Sequence, residues 1–221
     1  MREIIDLLAR PVLETILMVF ASTSIAALIG GGVGLSLYFM SNERLSEHAS
    51  QLSIVKKVAD RVINTLRSFP FIILMVLVLP LSRLIVGTSL GTVAAIVPLS
   101  VAASPFVARI VESSLAEIDV GILDAAIASG ASKVRILFAI LVPEALPSLI
   151  SGLTLTMISL VGYSAMAGVI GGGGLGDLAI RYGYQRFRSD IMIASVLAII
   201  LLVEGIQMTG NRITRNIKLK R

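Results

Sequence analysis

Few side chains in this chain of 221 residues could do chemistry, and their types narrow the field. There is no cysteine, which excludes disulfides, thiolate nucleophiles and thiolate metal sites. The one histidine, His48, leaves no room for an imidazole cluster and reads as a solvated loop residue. Glu204 is the one acidic residue well inside an apolar run. A carboxylate at that depth is a candidate for proton coupling, but its nearness to Asn211 and Arg212 favours a structural carboxylate reaching polar neighbours. The glycines at 171–174, with Gly176 and Asp177, lack the Lys-Ser/Thr pair and preceding strand of a phosphate loop, so they read as a flexible turn. Tyr163, Ser164 and Met166 offer hydroxyls and a soft thioether; by themselves they read as helix packing. No catalytic residues and no metal site are expected.

One stretch, DAAIASGASKVRILFAILVPEALP at 124–147, interrupts the apolar pattern. From Asp124 to Ser129 the residues are mostly small, so another surface could approach the backbone closely, with Asp124 as an acceptor. Gly130 supplies a break because it enters left-handed backbone angles at little cost. Lys133 and Arg135 then sit on the first turn of a resumed helix, and Pro143 and Pro147 mark the start of the next span, where the backbone needs fewer donors. These residues fit a docking knob for a cytoplasmic partner and, equally, ordinary helix punctuation.

The elements that position them are membrane spans. Hydrophobic residues make up 56% of the chain and charged ones 15%, against roughly 45–50% and ~25% in soluble domains, and the mean hydropathy is +0.93. Crossing the hydrocarbon core takes about 20 largely apolar residues. Spans are expected at 12–40, 62–82, 88–110, 146–170 and 190–209, within a single domain at 1–221. The second is the weakest, since its apolar stretch at 69–81 must borrow neighbours, with Arg67 or Arg83 snorkelling at an end. The first, with Glu14 near its start, is too long for a signal-peptide core.

Thirteen of the 19 basic residues fall in one set of loops and six in the other, so the positive-inside rule puts the 111–145 segment and the C-terminus in the cytoplasm and the N-terminus outside. The net charge of +5 reflects this bias rather than nucleic acid. Arg181, Arg186 and Arg188, interleaved with Tyr182, Tyr184 and Phe187, run against the rule and read as an interfacial anchor or a docking edge. Gly30 and Gly34 predict close packing against some other helix, and Pro98 and Pro105 predict bends in the third span. No repeat is visible, and an odd number of spans implies a path completed by a second copy.

Asp124-Ala125-Ala126, Gly130-Ala131, Ile140 and Pro143 resemble the EAA loop of ABC importer permeases, with Asp124 where Glu is usual and Val142 where Leu is usual. The strings RSFPFIIL (67–74), IVGTSLG (85–91), AAIVPLSVAASPFVARIVESSL (94–115) and LVGYSAMAGVIGGGGLG (160–176) narrow the resemblance to permeases of methionine ABC transporters. It implies an all-α, five-span permease of the ABC importer type with a cytoplasmic coupling helix at about 119–135, lodged in the bacterial cytoplasmic membrane. It further implies a homodimer, two ATP-binding ABC subunits, an extracytoplasmic methionine-binding protein and surrounding membrane lipid. ATP would be bound by the partner subunit, so this chain would carry no cofactor and be no enzyme. The substrate implied is methionine, including the D-enantiomer, moved by alternating access. Asp124, Ala125, Ala126, Gly130, Ala131 and Pro143 would couple to the ATPase. Tyr163, Ser164 and Met166 would line the path, with Met166 at its gate. The rival is a secondary amino-acid transporter driven by an ion gradient through Glu204.

Overall fold

The computed structural model describes residues 2–42, 44–45 and 49–219, so the expectation for His48 lies outside the described residues. Among those residues the regular structure is helical throughout. α1 (Arg2–Ser41) runs for 40 residues, ~60 Å at 1.5 Å per residue, and so extends well beyond a hydrocarbon core of about 30 Å. It lies along α4 (Thr92–Ala116). Their seam explains Gly30 and Gly34: a Cβ at either would collide with the Ser104 or Ala108 carbonyl of α4. Lipid tails are as apolar as leucine, so nothing squeezes two helices together in a bilayer, and close backbone packing must do it. The partner that the glycine pair demanded is α4.

The expected second span at 62–82 is not one helix. α2 (Ala49–Ser68) ends at a sharp turn, and α3 (Phe71–Val86) leaves it at 110°. Pro70 is the cause: it clashes with helical angles at the residue before it and starts α3 as its cap. Gly87, at φ 83°, closes α3 by donating its N–H to the Arg83 carbonyl. Among the described residues, four helices are long and apolar enough to cross a membrane, and the bent pair makes a fifth crossing if counted as one.

α4 holds Pro98 and Pro105 in its interior and passes after three residues into α5 (Val120–Ala128), whose first turn is capped by the Asp119 carboxylate accepting from the Gly121 N–H at 2.7 Å. A break at Gly130 follows, at φ 74°. α6 (Lys133–Arg135) then opens an unbroken run through a wide π-helical turn (Ile136–Leu141) into α7 (Val142–Ala167). Pro143 and Pro147 therefore do not start this helix; they lie inside it. The π turn precedes Pro143 directly, and Val142 donates to the Leu137 carbonyl, five residues back. Widening the helix there makes room for a ring that a tight α turn would strike.

The glycine stretch is also not the flexible turn expected. After α7, a kinked π segment (Gly168–Gly172) reverses the chain, and α8 (Gly174–Leu178) folds back against the end of α7, with Gly174, Leu175 and Gly176 buried. A Cβ at Gly176 would strike the Ala165 backbone. Glu14 and Thr15 of α1 hold the turn, accepting the Gly174 and Leu175 N–H groups at 2.8 and 2.9 Å. A second π segment (Ala179–Tyr184) leads to α9 (Ser189–Leu219), which packs on α7 with Gly210 against Thr154.

Gly34→Leu is expected to lower stability by about 1–3 kcal/mol through overpacking of the α1–α4 seam. Gly31→Leu, where a side chain would meet open space, should stay within about 0.5 kcal/mol of wild type. Thermal unfolding of the detergent-solubilised protein separates the two.

Candidate functional site

Two surfaces are candidates: the end of the bundle that carries α5, and the exposed face of α7. α5 is held by three attachments. Leu123 and Ala126 are buried against the core. The short link from α4 feeds directly into the Asp119 cap. The Asp124 carboxylate pairs with the Arg44 guanidinium in the loop after α1. Of the residues expected to meet an ATPase, Asp124, Ala125 and Gly130 are exposed, while Ala126 is buried and Ala131 half-buried against the core. Ala126 is thus an anchor of α5, not part of its outer face. Pro143 sits half-buried above, inside the α7 run. The exposed side of α5 combines the small residues Gly121, Ala125 and Ala128 with Asp124 and two apolar side chains, Val120 and Ile127; the small residues let a partner's cleft approach the backbone closely.

Behind α5, polar groups that hydropathy alone assigned to loops form rungs between helices. Lys56 of α2 lies 3.4 Å from Glu112 of α4. Arg109 pairs with Asp60 at 2.7 Å and with Glu112 at 2.5 Å. Higher up, Arg67 lies over the Phe106 ring, 5.0 Å from its centre. Lys56, Asp60, Arg109 and Glu112 are each well under half exposed, so their pairing is screened less than on an open surface. Sequence reading missed them because partners on α2 and α4, 39 to 56 residues apart, carry no local signature.

On α7 the three expected path residues do not share a face. Tyr163 is half-buried and stacks on Phe71 of α3, ring centres 4.5 Å apart and planes 7° from parallel. Ser164 is 2% exposed, and its hydroxyl donates to the Val161 carbonyl at 2.7 Å. It is buried within the bundle. Met166 is 45% exposed and shares its side of the helix with Leu155, Ser159, Gly162 and Val169, all exposed and spaced three or four residues apart. Successive residues step by ~100°, which is why adjacent Ser164 cannot join them. Beside this face, a cleft of about 200 Å³ between α4 and α7 is lined by Phe106, Ser159, Thr156 and Tyr163 among others.

Glu204 lies exposed on α9. Among the described residues no hydrogen bond or ion pair reaches it, so the polar neighbours expected for it are not engaged. Asn211 is bonded instead to Gln207, at 2.8 Å.

A spanning bundle with a helix standing off one end, attached through the middle span, defines the membrane component of a transport system. The chain belongs to the family of binding-protein-dependent transport system inner membrane components, whose profile matches residues 45–216. It is 42% identical over 212 residues to the probable D-methionine transport system permease protein MetI of Vibrio cholerae, covering 96% of this chain and 92% of that one. It is 44% identical over 164 residues to the methionine import system permease protein MetP of Bacillus subtilis, covering 74% of each. The solved inward-facing MetNI methionine ABC transporter contains a chain 41% identical to this one, with a TM-score of 0.91 over 98% of this chain and 99% of that one. An amino acid ABC transporter at 19% identity and a TM-score of 0.73, covering 96% of this chain and 93% of its own, shares the fold.

Left-handed angles at Gly130 cost an L-residue about 1–2 kcal/mol, with Asn paying least. Nothing crowds that position, so backbone strain alone should rank the variants. Gly130→Asn is expected to keep most of the coupling between ATP hydrolysis and transport and Gly130→Val to lose most of it, as measured by solute moved per ATP hydrolysed.

Proposed function

We propose that this chain is the transmembrane subunit of an ATP-driven importer that moves methionine, D-methionine included, across the bacterial cytoplasmic membrane. Two copies form the path, two ABC ATPase subunits dock on α5, and an extracytoplasmic binding protein delivers the substrate. The observation that carries this reading is the construction of α5: locked to the bundle by Leu123 and Ala126 while Asp124, Ala125, Ala128 and Gly130 stay exposed. A helix so held transmits a push to whatever it is anchored on.

The mechanism follows from those anchors. Closure of the ATPase dimer would draw the two α5 helices together. Each would carry the inner half of α4 through the link at 117–119, α2 through the rungs at Glu112 and Arg109, and α7 through the run that starts at Lys133. The Met166 faces of the two α7 helices would line the axis, closing it to one side while the other opens. ATP is bound and hydrolysed by the partner, and this chain supplies the path and the lever. Asp124 and Ala125 face the ATPase, with Gly130 setting the angle between α5 and α6. No feature of the exposed, unbonded Glu204 favours a gradient-driven reading.

Proteoliposomes containing this chain and its ATPase, with the binding protein outside, test the proposal. Methionine uptake is expected to require ATP and both partners. Uptake by the permease alone under a proton gradient, abolished by Glu204→Gln, would overturn it.

A further inference from the structure

Phe106 of α4 is a wall shared by two hollows of opposite character. One is the cleft of about 200 Å³ between α4 and α7. Its lining is apolar almost throughout, since the hydroxyls of Thr156 and Ser159 donate to the Gly152 and Leu155 carbonyls of their own helix at 3.0 Å. At ~30 Å³ for each water-sized group, it has room for about six of them, enough for a side chain of methionine size. Leu155 and Ser159 belong both to this cleft and to the exposed face of α7 that carries Met166, so the cleft opens on that face. A charged group inside would lose its hydration without a partner, whereas a thioether gains contact with the aromatic side chains of Phe106 and Tyr163.

The other hollow, of about 360 Å³, lies between Phe106 and the last turns of α2, where Asn64, Arg67 and Ser68 line it. Its free hydrogen-bonding groups are chiefly donors. The Arg67 guanidinium lies over the Phe106 ring, 5.0 Å from its centre, and enters no ion pair among the described residues. The Asn64 side-chain carbonyl accepts from Arg109 at 3.3 Å, which leaves its NH2 group to donate. Ser68 is turned back on its own helix, its hydroxyl donating to the Asn64 backbone carbonyl at 2.8 Å. Lys56 and Arg109 each meet Glu112, but no carboxylate lines this hollow or the cleft. A guanidinium and an amide NH2 one helical turn apart, with no anion between them, suit a carboxylate from outside the chain.

We propose that the two hollows form one amino-acid site within the spans, with the substrate carboxylate at Arg67 and Asn64 and its apolar side chain in the cleft. The site rests on the importer reading above and adds where that importer holds its cargo on the way through. Two contacts fix such a ligand, and no carboxylate lines the site to fix its ammonium. The ammonium and the hydrogen on Cα can therefore trade places with both contacts kept, so both enantiomers bind.

The test uses the whole transporter, permease with ATPase subunits, nucleotide-free in proteoliposomes. The probe is photo-methionine, which carries a diazirine in its side chain, and adducts are located by peptide mass spectrometry. Labelling is expected within 103–110 and 155–163, with L- and D-methionine competing equally well. Methioninol, with an alcohol in place of the carboxylate, should need about tenfold more to compete, the cost of losing a hydrogen bond to a charged group. Arg67→Gln should bring methionine down to the level of methioninol and leave methioninol unchanged, and Arg67→Lys should restore part of the difference. A purely structural role for Arg67 would weaken both ligands alike. Methioninol competing as well as methionine in the wild type would overturn the proposal, as would adducts confined to the ATPase subunits. ATP-driven uptake by the same proteoliposomes, with the binding protein added, separates the two readings. Uptake with the cleft unlabelled would sink the site alone; labelling of the cleft without uptake would uphold the site and sink the importer.

Discussion

The close approach of α1 to α4 is the contact on which the other packing depends. Gly30 and Gly34 bring the two backbones together at Ser104 and Ala108, in a medium that supplies no hydrophobic push of its own. With α1 fixed there, α4 becomes the central stave: α3 and α7 pack on its remaining sides, α2 is bonded to its inner half, and α5 hangs from its end. A side chain at either glycine would move α4 outward and shift every element registered to it. At its other end α1 does a second task, because Glu14 and Thr15 pin the glycine hairpin between α7 and α9. One helix thus sets both the inner lever and the outer closure.

Hydropathy made the all-helical, multi-span architecture legible, since about 20 apolar residues per crossing leaves a signal too long to miss. The same averaging hid the breaks. Phe69-Pro70 carried the mark of a turn, but 62–82 had to be joined to reach a spanning length, so the 110° bend was smoothed away. Pro143 and Pro147 were read by the rule that prolines begin helices, whereas a π turn lets this helix carry them from Lys133 onward. The glycines at 171–174 looked loose because nothing local shows that an acceptor 160 residues earlier holds them.

The coupling segment was legible as a pattern and only half legible as a surface. The resemblance to the EAA loop implied Asp124, Ala125 and Gly130, which are exposed, and Ala126 as well, which the helical period turns inward beside Leu123. That Asp124 is tied to Arg44 could not be read, as 80 residues separate them. Of the residues assigned to the path, Ser164 is turned into the bundle because adjacent positions on a helix step by ~100°, whereas Tyr163 and Met166, three apart, stay on neighbouring sides. Met166 with Gly162 and Ser159 shows the face a period-based reading would have chosen.

The central claim is that α5 moves with the nucleotide state of its partner and takes the spans with it. Since the chain has no cysteine, Ala128→Cys places a single spin label on the exposed side of α5 in each copy. The most direct measurement is the distance between the two labels in the assembled transporter, by double electron–electron resonance, with the ATPase nucleotide-free and then trapped with ATP. The account predicts that the two labels approach on ATP binding and separate again after hydrolysis. A distance that stays fixed while the ATPase binds and hydrolyses ATP would contradict it.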